Sequence, residues 1–309
     1  MSAETISSPR SQFSIWLQAI RAFAFPASVV PVLVGAMLAL QYKVAIRWEL
    51  FPVVILCAVL YHAATNLISD YFDYQKGVDK DYTFGSRRVV VDGLLSARQI
   101  LAGAWVLFGA GIALGMILLA VRGMPMFWIG LIGLLGGYLY CGQPVGFKYI
   151  ALGDVGVFAL MGPMMVIGSF YALTGTFNPA IIYVSIPVGL LTAAILHANN
   201  TRDIAHDTSA KIRTFAGVIG HGAAKVEYYL LVGGAFVAVA IMVWKHILPL
   251  WSLIVFISAP PAIKNIKAMA VSHPGKIEDI ATLDVFTAQH NLMFGVLLSI
   301  SIAVGALVH

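Results

Sequence analysis

Nine long apolar stretches dominate this sequence and restrict what the chain can fold into more than any other feature. Each is close to the length of about 20 residues that an α-helix needs to cross a bilayer. Only 11% of the 309 residues are charged, whereas a soluble domain carries roughly 25%. The chain is therefore predicted to be an all-α, polytopic membrane protein. The nine predicted spans cover residues 20–41, 50–72, 98–121, 125–142, 151–173, 179–200, 224–244, 247–263 and 287–308.

The distribution of lysine and arginine supports these spans and predicts an orientation. With the N-terminus inside, 15 of the 19 Lys and Arg residues lie in inside segments, as the positive-inside rule requires. The net charge of +5 therefore needs no nucleic-acid partner, and the expected partner along most of the chain is the lipid bilayer. Residues 1–19 lack the apolar core and cleavage site of a signal peptide, so we expect them to form a cytoplasmic segment.

A short motif occurs twice, with its copies four spans apart. An Asn-x-x-x-Asp pattern begins at Asn66, at the end of the second span, and again at Asn199, at the end of the sixth. Repeat-built membrane proteins commonly place their site between the repeats. We expect residues 1–309 to form a single transmembrane domain, with pseudo-repeats over about 20–142 and 151–263. These would be two four-helix halves around a central cavity, plus one extra helix.

Each copy of the motif predicts a stripe of carboxylates on one helix face. Residues spaced i, i+4 and i+7 or i+8 share a face of an α-helix. Ionisable groups at the ends of membrane helices are expensive to bury and usually mark a site. Carboxylates are ligands for Mg²⁺, which keeps other positions for substrate phosphates. The candidate metal ligands and catalytic residues are Asp70, Asp73, Asp203 and Asp207.

Basic residues near the two motifs complete a candidate diphosphate site. Arginine can clamp phosphate oxygens with two hydrogen bonds, and lysine acts as a point charge. A divalent metal ion would neutralise the charge of a leaving diphosphate, and an apolar bundle would shield an allylic cation from water. These basic residues are Arg87, Arg88, Lys148, Arg202, Lys211 and Arg213.

Other polar residues in the spans have simpler interpretations. His62 and His197 are read as hydrogen-bonded packing residues rather than catalytic bases. Cys57 and Cys141 fall inside spans and are read as small packing residues, without a disulfide. Asp79 lies in a polar loop, where a solvated surface role and a role in the site are equally compatible with the sequence.

Three blocks of the sequence resemble the UbiA superfamily of intramembrane aromatic prenyltransferases. Residues 66–79 are similar to its first aspartate-rich motif, and residues 140–154 to its loop between the fourth and fifth helices. Residues 199–220, with Asn-Asn-Thr-Arg-Asp-Ile-Ala-His-Asp, are similar to the second motif. This third block resembles the 1,4-dihydroxy-2-naphthoate prenyltransferases of menaquinone synthesis in particular.

The resemblance implies an enzyme that transfers a prenyl group from a polyprenyl diphosphate to an aromatic acceptor, 1,4-dihydroxy-2-naphthoate, with Mg²⁺ as cofactor. It also implies nine helices around a cavity in a prokaryotic plasma membrane, with the diphosphate at the cytoplasmic end. Arg21 falls on the acceptor side by its place in the first helix. The residues expected to contact the diphosphate are Asn66, Tyr140, Lys148, Asn199, Arg202, Lys211 and Arg213.

The sequence also departs from the family pattern, which leaves alternatives open. Ser69 stands where a second Asn is usual, and Lys211-Ile212-Arg213 replaces Gly-Lys-Arg. The first helix lacks the lysine of the naphthoate type, so 4-hydroxybenzoate, homogentisate or a glycerol-phosphate lipid is an alternative acceptor. A secondary transporter is an alternative from another class, although its charges would lie near the bilayer midplane rather than at inner helix ends.

Overall fold

A computed structural model describes residues 11–77 and 89–308. The described chain is helical, and β-structure there is limited to one isolated bridge between Ile150 and Arg213. Asp79, Arg87 and Arg88 lie outside the described residues. The α-helices are α1 (Gln12–Ala19), α2 (Pro26–Gln41), α3 (Phe51–Gln75), α4 (Ala97–Arg122), α5 (Met124–Leu139), α6 (Gly153–Ala159), α7 (Met165–Thr174), α8 (Ala180–Arg202), α9 (Ile204–Ser209), α10 (Phe215–Trp244), α11 (Ala259–Val271) and α12 (Leu283–Val308).

These helices confirm the prediction of an all-α, integral membrane protein. Among the described residues, eight helical segments are long and apolar enough to cross a membrane, and α5 is a shorter apolar helix. The 16 residues of α5 rise about 24 Å at 1.5 Å per residue, less than the roughly 30 Å of a hydrocarbon core. Each of the nine predicted spans corresponds to one of these segments.

The fifth span is interrupted by a wider helical turn. Leu160–Met164 is π-helical and joins α6 to α7. Pro163 lies inside this segment, where it has no N–H to donate and its ring clashes with the carbonyl four residues earlier. A π-turn relieves that conflict, and such turns are frequent at functional sites. Leu160, Met161 and Met164 from this turn line the central cavity.

The segment over residues 201–223, between the sixth and seventh predicted spans, is largely helical. This stretch contains α9, and α10 begins at Phe215. Thr214 caps α10 by accepting a hydrogen bond from the Gly217 amide at 3.2 Å, as N-terminal threonines do. Gly220, with a φ of 80°, interrupts the helix. The polar residues of this segment give no signal of a membrane span. The Thr214 cap and the spacing of the motif residues are nevertheless compatible with helices.

Helix packing places the two motif-bearing helices in one bundle. α3 packs on α4, α8 packs on α10, and α12 packs against both α2 and α8. The core beside α8 includes the fully buried side chains of Leu38, Phe170, Leu191, Tyr228 and Phe294. The last helix is therefore built into the bundle between α2 and α8. The internal pseudo-repeat stays a prediction.

Glycines allow one close approach beside the cavity. Gly162, in the π-turn, faces Gly189 of α8: a Cβ added to Gly162 would lie 2.5 Å from the Gly189 Cα and 2.9 Å from its amide nitrogen. Small residues at membrane helix interfaces permit such contact between backbones. The π-turn can pack this closely against α8 because glycine has no side chain at position 162.

We expect Gly162→Ala to lower the thermal stability of the detergent-solubilised protein, because the new methyl meets backbone atoms that cannot rotate away. Overpacking of this kind costs about 1–3 kcal/mol. Gly109→Ala is the matched control, since a Cβ there meets nothing within 4 Å and alanine favours the helix. Thermal unfolding followed by tryptophan fluorescence measures both variants. Equal melting temperatures for the two would contradict this account of the packing.

Candidate active site

A central cavity of about 550 Å³ follows α3 from Val54 to Asn66, a distance of about 18 Å along the helix. Most of its wall is apolar, with side chains such as Ile112, Met116 and Phe127. The wall near the C-terminal ends of α3 and α8 is polar. The polar residues there are Arg21, Asn66, Tyr140, Lys148, Asn199, Arg202 and Asp284.

Asp70 of the first motif is buried, with 1% of its surface exposed, and forms an ion pair with Arg21. The Arg21 backbone has a φ of 55°, which is uncommon for a residue other than glycine. This residue precedes the turn that leads into α2, so its conformation aims the guanidinium at α3. Asn66, one helical turn before Asp70, donates to the Ile20 carbonyl at 3.0 Å and fixes the same segment.

Asp73 is fully buried and is bound from three sides. Lys148 Nζ lies 2.6 Å from its Oδ2, and the Tyr149 hydroxyl donates to its Oδ1 at 2.8 Å. Ser69 Oγ donates to the same carboxylate at 3.1 Å and lies 3.2 Å from Lys148 Nζ. Ser69, which departs from the family pattern, is thus part of this network.

Burial, and the charge of Asp73 after it, raises the pKa of Tyr149 well above its ordinary value of 10. The hydroxyl therefore keeps its proton and remains a donor to the carboxylate.

A loop holds Lys148 in this position. The Lys148 amide donates to the Tyr140 carbonyl at 2.9 Å, and the Tyr140 ring packs edge-on against Phe147. The Arg213 backbone pairs with the same loop, because its carbonyl accepts from Ala151 N at 2.6 Å. The segment after the second motif is thereby joined to the loop that carries Lys148.

The second motif spans a break between two helices. α8 ends at Arg202 and α9 begins after Asp203. The Asp203 amide donates to the Asn199 carbonyl at 3.1 Å, and the Asp207 amide to the Asp203 carbonyl at 2.8 Å. The predicted spacing therefore continues across the break, and both aspartates are buried with 4% of their surface exposed.

The Arg202 guanidinium is the centre of the polar contacts at this end. Its Nε donates to Asp203 Oδ1 at 2.8 Å, and its Nη2 to Asn199 Oδ1 at 2.6 Å. Its Nη1 lies 3.2 Å from Asp284 Oδ2 of α12. One arginine thus holds α8, the start of α9 and the last helix together.

Half of the predicted site residues in the described part of the chain line the cavity, and the aspartates of the two motifs are not among them. Lys211 and Arg213 have exposed side chains and do not line it. Asp70, Asp73 and Asp203 are each bonded to a cation, and these cations line the wall. The cations therefore line the cavity, and the carboxylates lie behind them, farther from the cavity.

Two contacts to the motif residues had no signal in the sequence. Tyr149 follows Lys148 but belongs to no recognisable spacing, and Asp284 is a single acid before the last span.

His62 is hydrogen-bonded, with Nδ1 2.7 Å from Ser28 Oγ, and also lines the cavity. Cys57 and Cys141 are buried free cysteines.

The set of buried carboxylates fits a divalent magnesium ion by the chemistry of its donors. Asp70, Asp73, Asp203 and Asp207 offer only hard oxygen ligands, which Mg²⁺ prefers. Three of the four are paired with Arg or Lys. If a metal ion bound these oxygens, the Arg and Lys side chains would therefore need another anion as their partner.

Solved structures show the same fold. The chain matches a structure of digeranylgeranylglyceryl phosphate synthase with a TM-score of 0.62 at 17% identity, covering 94% of this chain and 98% of that one. It also matches a UbiA homolog from Archaeoglobus fulgidus bound to GPP and Mg²⁺, with a TM-score of 0.57 at 16% identity over 93% of this chain and all of that one.

Sequence comparison identifies similar proteins of known name. The chain is 31% identical over 301 residues to 1,4-dihydroxy-2-naphthoate octaprenyltransferase of Bacillus subtilis (strain 168), covering 97% of this chain and 96% of the relative. It is 34% identical over 293 residues to the UbiA prenyltransferase domain-containing protein 1 homolog of Drosophila melanogaster, covering 91% and 77%. The family model for UbiA prenyltransferases matches residues 28–279. The chain therefore belongs to the UbiA prenyltransferase family and is a membrane prenyltransferase.

Proposed function

We propose that this enzyme transfers a polyprenyl group from its diphosphate to 1,4-dihydroxy-2-naphthoate, in menaquinone biosynthesis, with Mg²⁺ at the two aspartate motifs. The observation that carries the proposal is the apolar cavity closed at one end by Arg21, Lys148 and Arg202, each backed by an aspartate. A prenyl diphosphate has the same division into an apolar tail and an anionic head. The similar Bacillus enzyme is named for this acceptor.

Mg²⁺ would be held by Asp70, Asp73, Asp203 and Asp207, the residues of the two motifs. When bound, it would neutralise the negative charge that develops on the diphosphate as the prenyl C–O bond breaks. The similar Archaeoglobus fulgidus protein, which was solved with GPP and Mg²⁺, supports both ligands.

The cations that line the cavity gain a second role in this proposal. Arg21, Lys148 and Arg202 now hold buried carboxylates, and they would turn to phosphate oxygens once those carboxylates bind a metal ion. Arg can bind two phosphate oxygens at once, whereas Lys148 supplies a compact charge. The same three side chains would thus offset much of the negative charge of the free site and then orient the leaving diphosphate.

The apolar wall of the cavity would keep water away from the reacting carbon. As diphosphate leaves with the electron pair of the C–O bond, the allylic cation would lie beside the polar end of the cavity, where apolar side chains such as Met161, Ile195 and Leu196 would exclude water. The acceptor ring donates an electron pair to form the new C–C bond. In a dihydroxynaphthoate the ring carbon then loses its carboxylate as CO₂, which restores the aromatic ring.

Other acceptors use the same donor chemistry. The fold match to digeranylgeranylglyceryl phosphate synthase makes a glycerol-phosphate lipid a second candidate, and 4-hydroxybenzoate and homogentisate complete the panel. Membership of a prenyltransferase family favours the enzyme over the secondary transporter. The cation-rich inner segments support a cytoplasmic N-terminus and diphosphate end, and we place the enzyme in a prokaryotic plasma membrane.

The purified protein in detergent should convert labelled geranylgeranyl or farnesyl diphosphate to a prenylated lipid with 1,4-dihydroxy-2-naphthoate, and only when Mg²⁺ is present. Parallel reactions contain 4-hydroxybenzoate, homogentisate, a glycerol-phosphate lipid or no acceptor, each with Mg²⁺ or EDTA. Thin-layer chromatography separates the products. Exclusive prenylation of another acceptor would reject the naphthoate assignment but keep the donor site.

Asp70→Asn and Asp203→Asn should each reduce prenyl transfer by about 10²-fold or more, because each removes a charge from the metal site and so weakens electrostatic stabilisation. Glu49→Gln is the matched control: this exposed glutamate pairs with Arg47 just before α3 begins, at the opposite end of that helix from Asp70. Steady-state rates with saturating Mg²⁺ compare the three variants. Full activity in Asp203→Asn would exclude the second motif from the metal site.

Lys148→Ala should strongly destabilise the metal-free protein, because it removes the ammonium group that lies 2.6 Å from the buried Asp73 carboxylate. Breaking a buried ion pair from one side costs about 3–5 kcal/mol, and Lys148→Ala/Asp73→Ala should recover part of that loss. Arg47→Ala, which breaks an exposed pair with Glu49, should leave the melting temperature nearly unchanged, because solvent screens such pairs. Thermal unfolding in EDTA measures the set. Purely additive losses in the double variant would show that Lys148 and Asp73 are not coupled.

A further inference from the structure

A second cluster of possible metal ligands lies where α6, α8 and α10 meet. His197 Nδ1 is 3.2 Å from Asp154 Oδ2 and 3.6 Å from Glu227 Oε2. The three ligand atoms lie within 4.8 Å of one another. Asp154 and His197 are buried, and none of the three residues lines the central cavity. The cluster is therefore separate from the aspartate motifs.

The donors and acceptors around His197 indicate that a proton or a metal ion lies within this cluster. His197 Nε2 lies 2.9 Å from the Ala224 carbonyl oxygen, which can only accept, so Nε2 carries a hydrogen. In a neutral imidazole, Nδ1 then has only its lone pair. That lone pair faces two carboxylate oxygens, which also only accept. A proton or a metal ion must lie between them.

The distances fit a metal ion that serves both carboxylates. The 3.2 Å between His197 Nδ1 and Asp154 Oδ2 is at the long end of the hydrogen-bond range, and the 3.6 Å to Glu227 Oε2 is beyond it, so a proton on Nδ1 would serve only Asp154. Around a tetrahedral zinc ion with bonds of about 2.0–2.1 Å, neighbouring ligand atoms lie about 3.3–3.4 Å apart. The Glu227 Oε2 atom is also buried and accepts no hydrogen bond among the described residues.

Neighbouring groups hold the ligands as they do in metal sites. A metal-binding histidine usually donates its other ring N–H to a carbonyl or carboxylate, and His197 does so to Ala224. Asn200 Nδ2 donates to Asp154 Oδ1 at 3.1 Å, which leaves Oδ2 directed at His197. Both side chains are therefore oriented by a second layer of hydrogen bonds.

We propose that Asp154, His197 and Glu227 bind a divalent transition-metal ion, with Zn²⁺ as the best match. Zinc accepts histidine nitrogen together with carboxylate oxygen, and three protein ligands leave one position for water. Imidazole selects against Mg²⁺, which prefers oxygen ligands alone. The ion would join α6, α8 and α10 next to the end of α8 that carries Arg202.

The test measures zinc binding by the full chain in detergent. Asp70→Asn/Asp203→Asn is used as the background, so that zinc binding at the aspartate motifs is weakened. This protein should retain about one zinc ion per chain after equilibration with Zn²⁺ and gel filtration. Co²⁺ in place of Zn²⁺ should give the visible absorption of a four-coordinate site. Adding His197→Gln should remove both signals.

His273→Gln is the matched control, because it removes the histidine of an exposed His–Asp pair whose Nδ1–Oδ2 distance is 2.9 Å, and it should leave zinc binding unchanged. If His197→Gln does not fold, Asn200→Ala tests the same site through the ligand Asp154. That variant should bind zinc about 10–100-fold more weakly, the range for loss of a supporting hydrogen bond. Equal zinc content with and without the His197 or Asn200 side chain would overturn the metal site, and a proton would then hold the cluster.

Discussion

A carboxylate buried among membrane helices must be paired with a positive charge, and this requirement organises the polar end of the cavity. Asp70, Asp73 and Asp203 have almost no exposed surface, and an unpaired charge there would cost several kcal/mol. Two of these pairings also join segments that are distant in sequence: Arg21 joins the segment before α2 to α3, and Lys148 joins the loop after α5 to α3. The same ion pairs therefore neutralise charge in the site and hold the helices of the bundle together.

Irregular backbone occurs where these functional side chains are placed. Arg21 has a left-handed conformation, Gly146 precedes Lys148 with a φ of 55°, and Asp203 lies between two helices. Non-helical backbone at membrane depth is tolerated only where protein or a cavity surrounds it. Helix breaks free the backbone to point side chains of distant segments at the same cavity, which a set of straight helices would not achieve.

The sequence predicted the features that depend on local pattern. The spans follow from apolar length, and the aspartate spacing survives in the structure even across the break at Asp203. The pairing of Asp73 with Lys148 could not be predicted, since it depends on how a loop folds back onto α3. Helix α9 was missed because polar residues gave it no span signal. His197 was correctly read as hydrogen-bonded, but its neighbours Asp154 and Glu227 are distant in sequence and could not be predicted.

The end of α8 connects the two polar clusters of the molecule. His197 and Asn200 are three residues apart and share one helix face, which is directed at Asp154. Asn199 and Arg202, also three residues apart, share another face and line the cavity. At about 100° per residue, a rotation of this helix end would move both faces together. A group that fixes His197 therefore also fixes the direction of Arg202, and the precision of the proposed diphosphate site depends on a cluster outside it.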